Sequence, residues 1–316
     1  MRTIELTYPH TLTATALPET VCAIGFFDGI HKGHQQVIKR AVQSAKEKNM
    51  ESAVITFHPH PSVVLKQDTQ HVKYITPLRE KQGILQKLAV DRLYIITFNQ
   101  QLSLLSPQEF IDQFITGLHI KHLIAGFDYT YGHKGKGNMD DLPTYAQGAF
   151  TSEVIDKFEM DGEKVSSTKI RDLLAQGEIE KVNELLGRPL RITGTVVEGD
   201  RRGNTIGYPT ANIEVSEDVL LPQSGVYAVR VVYKNTSYDG MANLGVKPTF
   251  HSDEKEPAIE VNIFDFEGDL YGEELKVEWY TFIRNEKKFA GVDELIGQIK
   301  MDEKNIKNYF KERSVT

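Results

Sequence analysis

Short apolar runs alternate with stretches of helical spacing over the first 186 residues. Four apolar runs predict strands buried on both faces, at residues 21–27, 52–57, 92–98 and 122–126. Helical spacing occurs at residues 34–48, 77–89, 107–117, 167–174 and 178–186. This alternation predicts a Rossmann-like α/β unit, in which helices flank a parallel sheet and ligands bind at the carboxyl ends of its strands.

The pattern changes near Gly187-Arg188-Pro189. Beyond this point, turns separate short alternating runs rich in Val, Ile and Tyr, at residues 192–198, 211–215, 225–233, 237–243, 258–264 and 275–283. Such runs predict a small antiparallel β-barrel, and the amphipathic residues 292–310 predict a closing helix. We therefore expect two domains, residues 1–186 and 187–316.

Composition narrows the possible functions. The chain has 316 residues, 40% hydrophobic and 26% charged, which is a globular composition long enough for two domains. A net charge of −7 disfavours nucleic-acid binding as the main role, and no apolar run reaches the roughly 18 residues of a membrane span. The single cysteine, Cys22, excludes an intramolecular disulfide and a cysteine-based zinc site. We expect a cytoplasmic protein without nucleic-acid or membrane partners.

The first candidate site is the segment G-F-F-D-G-I-H-K-G-H at residues 25–34, between a predicted strand and a predicted helix. Gly29 and Gly33 permit a tight turn and close backbone approach. His31 and His34 lie three apart, on one side of a first helical turn. Backbone amides and the helix dipole favour anions there, so the segment suits a triphosphate. The alternative is that the two histidines only cap or solvate the helix start.

The second candidate site is S-S-T-K-I-R at residues 166–171, also at a predicted helix start. A Ser or Thr at this position is explained without a ligand by N-capping. The hydroxyls together with Lys169 and Arg171 also form a phosphate cradle, because a guanidinium can hold two phosphate oxygens at once. Taken alone, the segment favours N-capping over phosphate binding. Because the chain also contains H-x-G-H, N-capping is no longer the favoured interpretation.

The two motifs together resemble the signature pair of the nucleotidylyltransferases, in which the α-phosphate of ATP is attacked and pyrophosphate leaves. With T-F-H-P-H-P at residues 56–61 and G-F-D-Y-T-Y-G at 126–132, the segment is similar to the N-terminal module of the bacterial bifunctional riboflavin kinase/FAD synthetases. The resemblance implies that His31 and His34 hold ATP phosphates, and that residues 56–61 and Asp128 help to seat FMN. It also implies phosphate contacts from the opposite side at Ser167, Thr168 and Arg171. Further ligand contacts are predicted on these motifs at Gly25, Phe26, Asp28, Gly29, Gly33, His58 and Pro59.

The implied reaction places few demands on acid–base chemistry. The nucleophile is the phosphate of FMN, which is already ionised at neutral pH. Catalysis then consists of aligning two polyanions and neutralising the charge that develops between them.

The third candidate site joins a loop with three glycines to Pro209-Thr210-Ala211-Asn212. Those glycines, which include Gly199 and Gly207, predict a loop whose backbone can approach a ligand. Thr210 and Asn212 lie two apart at a strand start, so their oxygens point to the same face and suit Mg²⁺ that keeps its waters and its nucleotide. Taken alone, these residues favour the alternative, an ordinary turn followed by a strand.

The C-terminal motifs resemble the riboflavin kinase module of the same family, in the same order: G-Y-P-T-A-N, N-L-G-V-K-P-T-F at residues 243–250, I-E-V-N at 259–262 and D-L-Y-G at 269–272. The resemblance implies that Thr210 and Asn212 coordinate Mg-ATP, with Gly199, Gly207 and Pro209 beside the nucleotide and Arg284 bordering the flavin. Glu260 would be the general base that takes the proton from the riboflavin 5′-hydroxyl, because an alcohol loses a proton when it attacks a phosphate. From the residues alone, a solvent-facing carboxylate is the favoured interpretation of Glu260.

Three positions depart from the family pattern. His58 stands where Asp is more frequent, which leaves the contact of that side chain open. Asn204 replaces a frequent Arg in the nucleotide loop, and Asn262 replaces a frequent His two residues after the predicted base. Either asparagine could weaken the kinase step.

We predict an enzyme that phosphorylates riboflavin to FMN in its C-terminal module and adenylylates FMN to FAD in its N-terminal module, using ATP and Mg²⁺. One alternative is an adenylyltransferase for another phosphate, such as phosphopantetheine or nicotinamide mononucleotide, but it leaves the P-T-A-N module unexplained. Another is a flavin- or nucleotide-binding sensor that has lost catalysis, for which Asn204 and Asn262 are the support.

Overall fold

The computed structural model describes residues 1–65, 72–199, 203, 206–216, 218–248 and 255–313, and divides the chain into two compact units, Met1–Ser167 and Thr168–Thr316. The main sheet of the first unit has six parallel strands in the order β1-β4-β3-β2-β5-β8. Its strands are β1 (Arg2–Leu6), β2 (Thr20–Ile24), β3 (Glu51–His58), β4 (Arg92–Thr97), β5 (Ile120–Gly126) and β8 (Thr151–Ile155). The predicted parallel sheet is confirmed.

Helices and small hairpins complete the first unit. The helices are α1 (Lys32–Glu47), α2 (Pro61–Leu65), α3 (Leu78–Lys87), α4 (Gln100–Ser103), α5 (Pro107–Ile111) and α6 (Leu142–Ala146). The hairpin strands are β6 (Thr130–Tyr131), β7 (Gly137–Asn138), β9 (Glu159–Met160) and β10 (Glu163–Lys164). The helix predicted at 107–117 continues from α5 into a π-helical segment, Asp112–Thr116.

The core of the first unit follows from the apolar pattern. All five residues of β2 are buried, and so are the central residues of β3 and β5. Helix α1 buries Val37, Ile38, Ala41, Val42 and Ala45 on the face that packs against this sheet. Strands β1 and β8 were not predicted, because β1 buries only Leu6 completely and β8 has no fully buried residue. Both are edge strands, and an edge strand needs less apolar sequence.

The second unit contains a closed antiparallel barrel with the strand order β11-β12-β15-β14-β13-β16, as predicted. Its strands are β11 (Leu190–Val197), β12 (Ala211–Glu214), β13 (Gly225–Tyr233), β14 (Thr236–Pro248), β15 (Lys255–Ile263) and β16 (Glu274–Arg284). The barrel is accompanied by helices α7, which begins at the unit boundary (Ser167–Ala175), α8 (Ile179–Leu186) and α9 (Val292–Arg313).

Hydrogen bonds join helix α8 directly to the barrel. Asn183 donates its amide to the carbonyl of Trp279 on β16 at 2.8 Å and accepts the backbone N–H of Leu190 on β11 at 2.7 Å. Near the C-terminal end of the chain, Ile306 and Phe310 of α9 pack with Ala228 of β13. Within the described ranges, no helix combines the length and apolar character that crossing a bilayer requires.

Candidate active sites

A cavity of about 610 Å³ opens at the carboxyl ends of β2, β3, β4 and β5. Ile24 and Gly126 mark two of these strand ends in its wall, and Phe57 and Phe98 mark the others. The predicted site residues Gly25, Phe26, Asp28, His34, Asp128 and Ser167 line it, together with two residues of the predicted 56–61 run. The cavity therefore lies where the topology of an open parallel sheet favours ligand binding.

His31 caps the helix that carries His34. Its Nδ1 accepts the backbone N–H of His34 at 3.2 Å, and the two imidazole rings stack with centroids 3.6 Å apart. A Cβ at Gly33 would lie 3.2 Å from the His31 ring, so a glycine leaves room for this ring. A nitrogen that accepts a hydrogen bond carries no proton, and neutral His31 therefore holds its proton on Nε2. Capping and ligand binding are thus compatible at His31, because they use different ring nitrogens.

The pKa of His34 is well below its usual value, because burial of the ring disfavours the imidazolium and the nearby His31 and Lys81 act in the same direction. His34 is therefore neutral at pH 7. Its Nδ1 is buried and has no hydrogen-bond partner among the described atoms. A buried polar atom without a partner in a residue that lines a cavity is suited to a ligand that supplies the missing hydrogen bond.

Asp28 has protein partners that the sequence did not reveal. Its side chain is 4% exposed and accepts the backbone N–H groups of Ile75 at 3.4 Å and Thr76 at 3.1 Å. Its backbone carbonyl accepts the Ser167 hydroxyl at 2.9 Å. Asp28 therefore joins the turn after β2 to the segment before α3, besides lining the cavity.

Among the described residues, seven phenylalanine and tyrosine rings line the cavity. Its rings come from Phe26, Phe27, Phe57, Phe98, Phe110, Tyr129 and Tyr131. The hydroxyl of Tyr131 is buried and has no hydrogen-bond partner among the described atoms. Such a wall suits a flat aromatic ligand with polar edges.

Only part of the predicted 56–61 run lines the cavity. Phe57 and Pro61 line the cavity, whereas His58 and Pro59 do not. The His58 ring lies 5.8 Å from the Tyr74 ring, and the Thr56 hydroxyl donates to the Phe26 carbonyl at 2.9 Å. Asp128 is exposed and forms a 2.8 Å ion pair with Lys164.

Other predicted residues of these motifs lie outside the cavity wall. Gly29 and Gly33 lie in the turn before α1 and in its first turn. Thr168 and Arg171 belong to the second unit, on α7, where Thr168 is exposed and Arg171 is partly buried.

A second cavity, of about 260 Å³, lies on the outer surface of the barrel beside α9. Its wall includes Thr210, Asn243, Glu260, Asn262 and Arg284. Glu260 on β15 pairs in register with Asn212 on β12 and Asn243 on β14, so the three side chains project from the same face of the sheet. The neighbouring residues Ile259 and Val261 are buried on the opposite face, inside the barrel.

The P-T-A-N segment is held in place by side chains and by close backbone approach. Asn262 is 7% exposed, and its amide donates to the Pro209 carbonyl at 2.7 Å. A Cβ at Gly199 would collide with the amide of Asn212, so this loop passes directly over the Asn212 side chain. Gly207 has φ +80° and permits the turn before Tyr208. The predicted departure at Asn204 lies outside the described residues.

Arg284 joins β16 to α9 at the wall of this cavity. Its Nε and Nη2 each lie 2.8 Å from Oδ2 of Asp302, whose side chain is almost fully buried. Gln298 donates to the other carboxylate oxygen of Asp302 at 2.9 Å. The sequence indicated Arg284 but not its partner, because Asp302 lies on a helix whose predicted signal was only its apolar stripe.

Comparisons with known proteins agree with this two-unit organisation. A family model described as FAD synthetase matches residues 13–169, and one described as riboflavin kinase matches residues 186–310. A bifunctional riboflavin kinase/FMN adenylyltransferase of Listeria monocytogenes is 48% identical, and one of Bacillus subtilis is 45% identical; each match covers 98% of both chains. A crystal structure described as a macrolide-efflux protein from Streptococcus pneumoniae is 36% identical, with a TM-score of 0.88 over 98% of this chain and 99% of that one.

Proposed function

We propose, from the premise that this chain belongs to the family of bifunctional riboflavin kinase/FMN adenylyltransferases, that each cavity performs one of the two reactions. The chain is an enzyme that phosphorylates riboflavin to FMN with ATP and adenylylates FMN to FAD with release of pyrophosphate. We assign the adenylylation to the first cavity and the phosphorylation to the second.

The stacked His31–His34 pair beside the first cavity is the observation that carries the adenylylation assignment. The imidazoles offer N–H donors rather than cationic charge, because His34 is neutral and His31 accepts at Nδ1. With the amides at the start of α1, these donors stabilise the charge that develops on the α-phosphate. The aromatic wall holds the flavin ring, and its ionised phosphate attacks without a base.

The position of Glu260 supports the assignment of the kinase step. Its side chain is partly buried in the wall of the second cavity, within a row of polar side chains that includes Asn212 and Asn243. We propose that its carboxylate accepts the proton of the riboflavin 5′-hydroxyl during attack on the γ-phosphate. Arg284, fixed by Asp302, borders the flavin.

The residues of the P-T-A-N segment fit magnesium. Thr210 lines the cavity, and the Asn212 amide lies under the backbone at Gly199. Their hydroxyl and amide oxygens are uncharged donors of the kind that suit a hard cation with retained waters. No group of three His, Cys, Asp or Glu side chains suited to a metal occurs among the described residues, so a site shared with nucleotide phosphates is the arrangement we propose. When bound, Mg²⁺ would neutralise phosphate charge.

Three further predictions stay proposals. Thr168 and Arg171 are proposed phosphate contacts on the strength of their motif. A domain boundary between residues 186 and 187 is supported by the start of the riboflavin kinase family match at residue 186, and limited proteolysis tests it. A cytoplasmic location is supported by the single cysteine, Cys22, which is buried and free.

A time course with the purified chain tests the proposal. The chain is incubated with riboflavin, ATP and Mg²⁺, and the flavins are separated by chromatography. We expect FMN first and FAD afterwards, and EDTA should stop both steps. FAD formed only from added FMN would remove the kinase assignment and implicate Asn204 and Asn262. Flavin binding without ATP consumption would favour the sensor.

A further inference from the structure

Lys81 is a buried cation in contact with Phe26 in the wall of the first cavity. It lies outside the sequence motifs and was not predicted as a site residue. It lies on α3 with 3% of its surface exposed. Its Nζ donates to the Phe26 carbonyl at 2.7 Å and to the Thr56 hydroxyl at 3.1 Å. Lys81 therefore joins α3 both to the turn after β2 and to the end of β3.

The Phe26 carbonyl lies where the chain leaves β2 toward the histidines. It accepts hydrogen bonds from both Lys81 and Thr56, so two donors fix the orientation of its peptide group. The ammonium also lies 4.8 Å from the centroid of the Phe26 ring, which lines the cavity. Five residues beyond Phe26, His31 caps α1 and stacks on His34. The position of Lys81 therefore affects the path of the backbone into that pair.

A lysine at this depth costs folding free energy. Burial lowers its pKa to about 8, although the carboxylate of Asp28 acts in the opposite direction. A methionine of similar length would occupy the same space without desolvating a charge. A costly buried cation next to a cavity that accepts polyphosphates is typical of a functional position rather than a packing one.

We propose that Lys81 is a positioning residue for adenylyl transfer, whose ammonium holds the turn at residues 26–31 so that His31 and His34 meet the ATP phosphates. This inference rests on the function proposed for the first cavity. The same charge also opposes protonation of His34.

Other titratable and charged groups surround this contact. Asp28 and His34 act on Lys81 electrostatically from the turn and from α1, where His31 stacks on His34. His60 and Tyr74 pack around the Phe26 ring. Its own helix carries Arg79, Glu80 and Lys87. The test therefore substitutes position 81 and leaves Asp28, His34, His31, His60 and Tyr74 unchanged, so that these neighbours are constant.

Lys81→Met removes the charge, Lys81→Arg keeps it, and Lys87→Met is the matched control at an exposed position of α3. We expect Lys81→Met to lower kcat for FAD formation from FMN by about 10- to 100-fold relative to Lys87→Met, a typical effect of a displaced site. Lys81→Arg should recover part of the loss. FMN formation by the same chains should be unchanged, and it serves as the internal control for folding.

The pH profile separates positioning from packing. FAD formation by the natural chain should decline as pH rises through about 8, where Lys81 loses its proton, and Lys81→Arg should lack this decline because a guanidinium stays protonated. Equal kcat for Lys81→Met and Lys87→Met would overturn the proposal. If Lys81→Met does not fold, the same alkaline decline in the natural chain and in Lys81→Arg would overturn it.

The variant His31→Asn, assayed alongside, separates the role of Lys81 from the assignment of adenylylation to the first cavity. Loss of FAD formation in His31→Asn with normal Lys81→Met rejects only the role of Lys81. Normal FAD formation in both rejects the first cavity as the adenylylation site.

Discussion

The side-chain amide of Asn262 donates a 2.7 Å hydrogen bond to the carbonyl of Pro209, 53 residues earlier in the chain. Asn262 lies two residues after Glu260, and Pro209 immediately precedes Thr210. One hydrogen bond therefore connects the strand of the proposed base to the segment of the proposed magnesium ligands. The asparagine that departs from the family pattern has a structural role of its own here.

Replacement of Asn262 should weaken the kinase step selectively. Asn262→Ala removes this hydrogen bond, which typically contributes about 0.5–1.5 kcal/mol, and releases the Pro209–Thr210 peptide. We expect kcat/KM for FMN formation to fall about tenfold, as a loss of about 1.4 kcal/mol would give, with FAD formation from added FMN unchanged. Asn262→His, which retains a ring donor, is the control. Equal losses of both activities would contradict a local effect.

Substitution of His31 should separate its capping role from its ligand role. Asparagine is a good N-cap, so His31→Asn keeps an acceptor for the His34 amide, whereas His31→Ala removes both the cap and the imidazole. We expect both variants to lose FAD formation by about 100- to 1000-fold and to keep FMN formation. Thermal unfolding should show the greater destabilisation in His31→Ala. Full adenylylation by His31→Asn would reduce His31 to a helix cap.

Glu260→Gln should have the opposite specificity. An amide cannot accept the hydroxyl proton, so FMN formation should fall by about 100- to 1000-fold while added FMN is still converted to FAD. Glu214→Gln, at an exposed position of the adjacent strand β12, is the matched control. Assays of riboflavin phosphorylation at several pH values check the result. An unchanged rate in Glu260→Gln would mean that the base is elsewhere.

The Arg284–Asp302 pair allows stability and function to be measured separately. Asp302→Asn leaves a guanidinium without its buried carboxylate, which typically costs about 3–5 kcal/mol. The double variant Arg284→Met with Asp302→Leu should recover most of that stability, because it removes both charges. If Arg284 contacts flavin, the double variant should still show a raised KM for riboflavin. A stable double variant with a normal KM would remove Arg284 from the site.

Acid should destabilise the first unit in part through His34. Because its pKa is lower in the folded chain than in the unfolded chain, folded His34 binds fewer protons, and the free energy of unfolding decreases as pH falls below about 6.5. Burial lowers the pKa of His10 and His122 as well, so they act in the same direction. His34→Gln should flatten the acid slope by no more than about 1.4 kcal/mol per pH unit. Urea unfolding from pH 5 to pH 8 tests this, and identical slopes would contradict it.

The order of elements could be predicted because burial imposes local periodicities. Strands β2–β5 each contain a short run of buried, mainly apolar residues, and strand β11 of the barrel alternates buried and less buried positions, so each pattern is visible within a few residues. The histidine and P-T-A-N motifs were equally local. Strands β1 and β8 were missed because they lie at sheet edges and their pairing partners, rather than their own composition, make them strands.

By itself, the sequence determined two successive folding patterns and the motifs that indicate both reactions, since each depends on residues close together in the chain. Tertiary structure alone decided which distant groups support those motifs. Lys81 reaches Phe26 across 55 positions, and Asn262 reaches Pro209 across 53. Such contacts have no local periodicity, because strand order and helix packing bring the residues together only after the chain has folded.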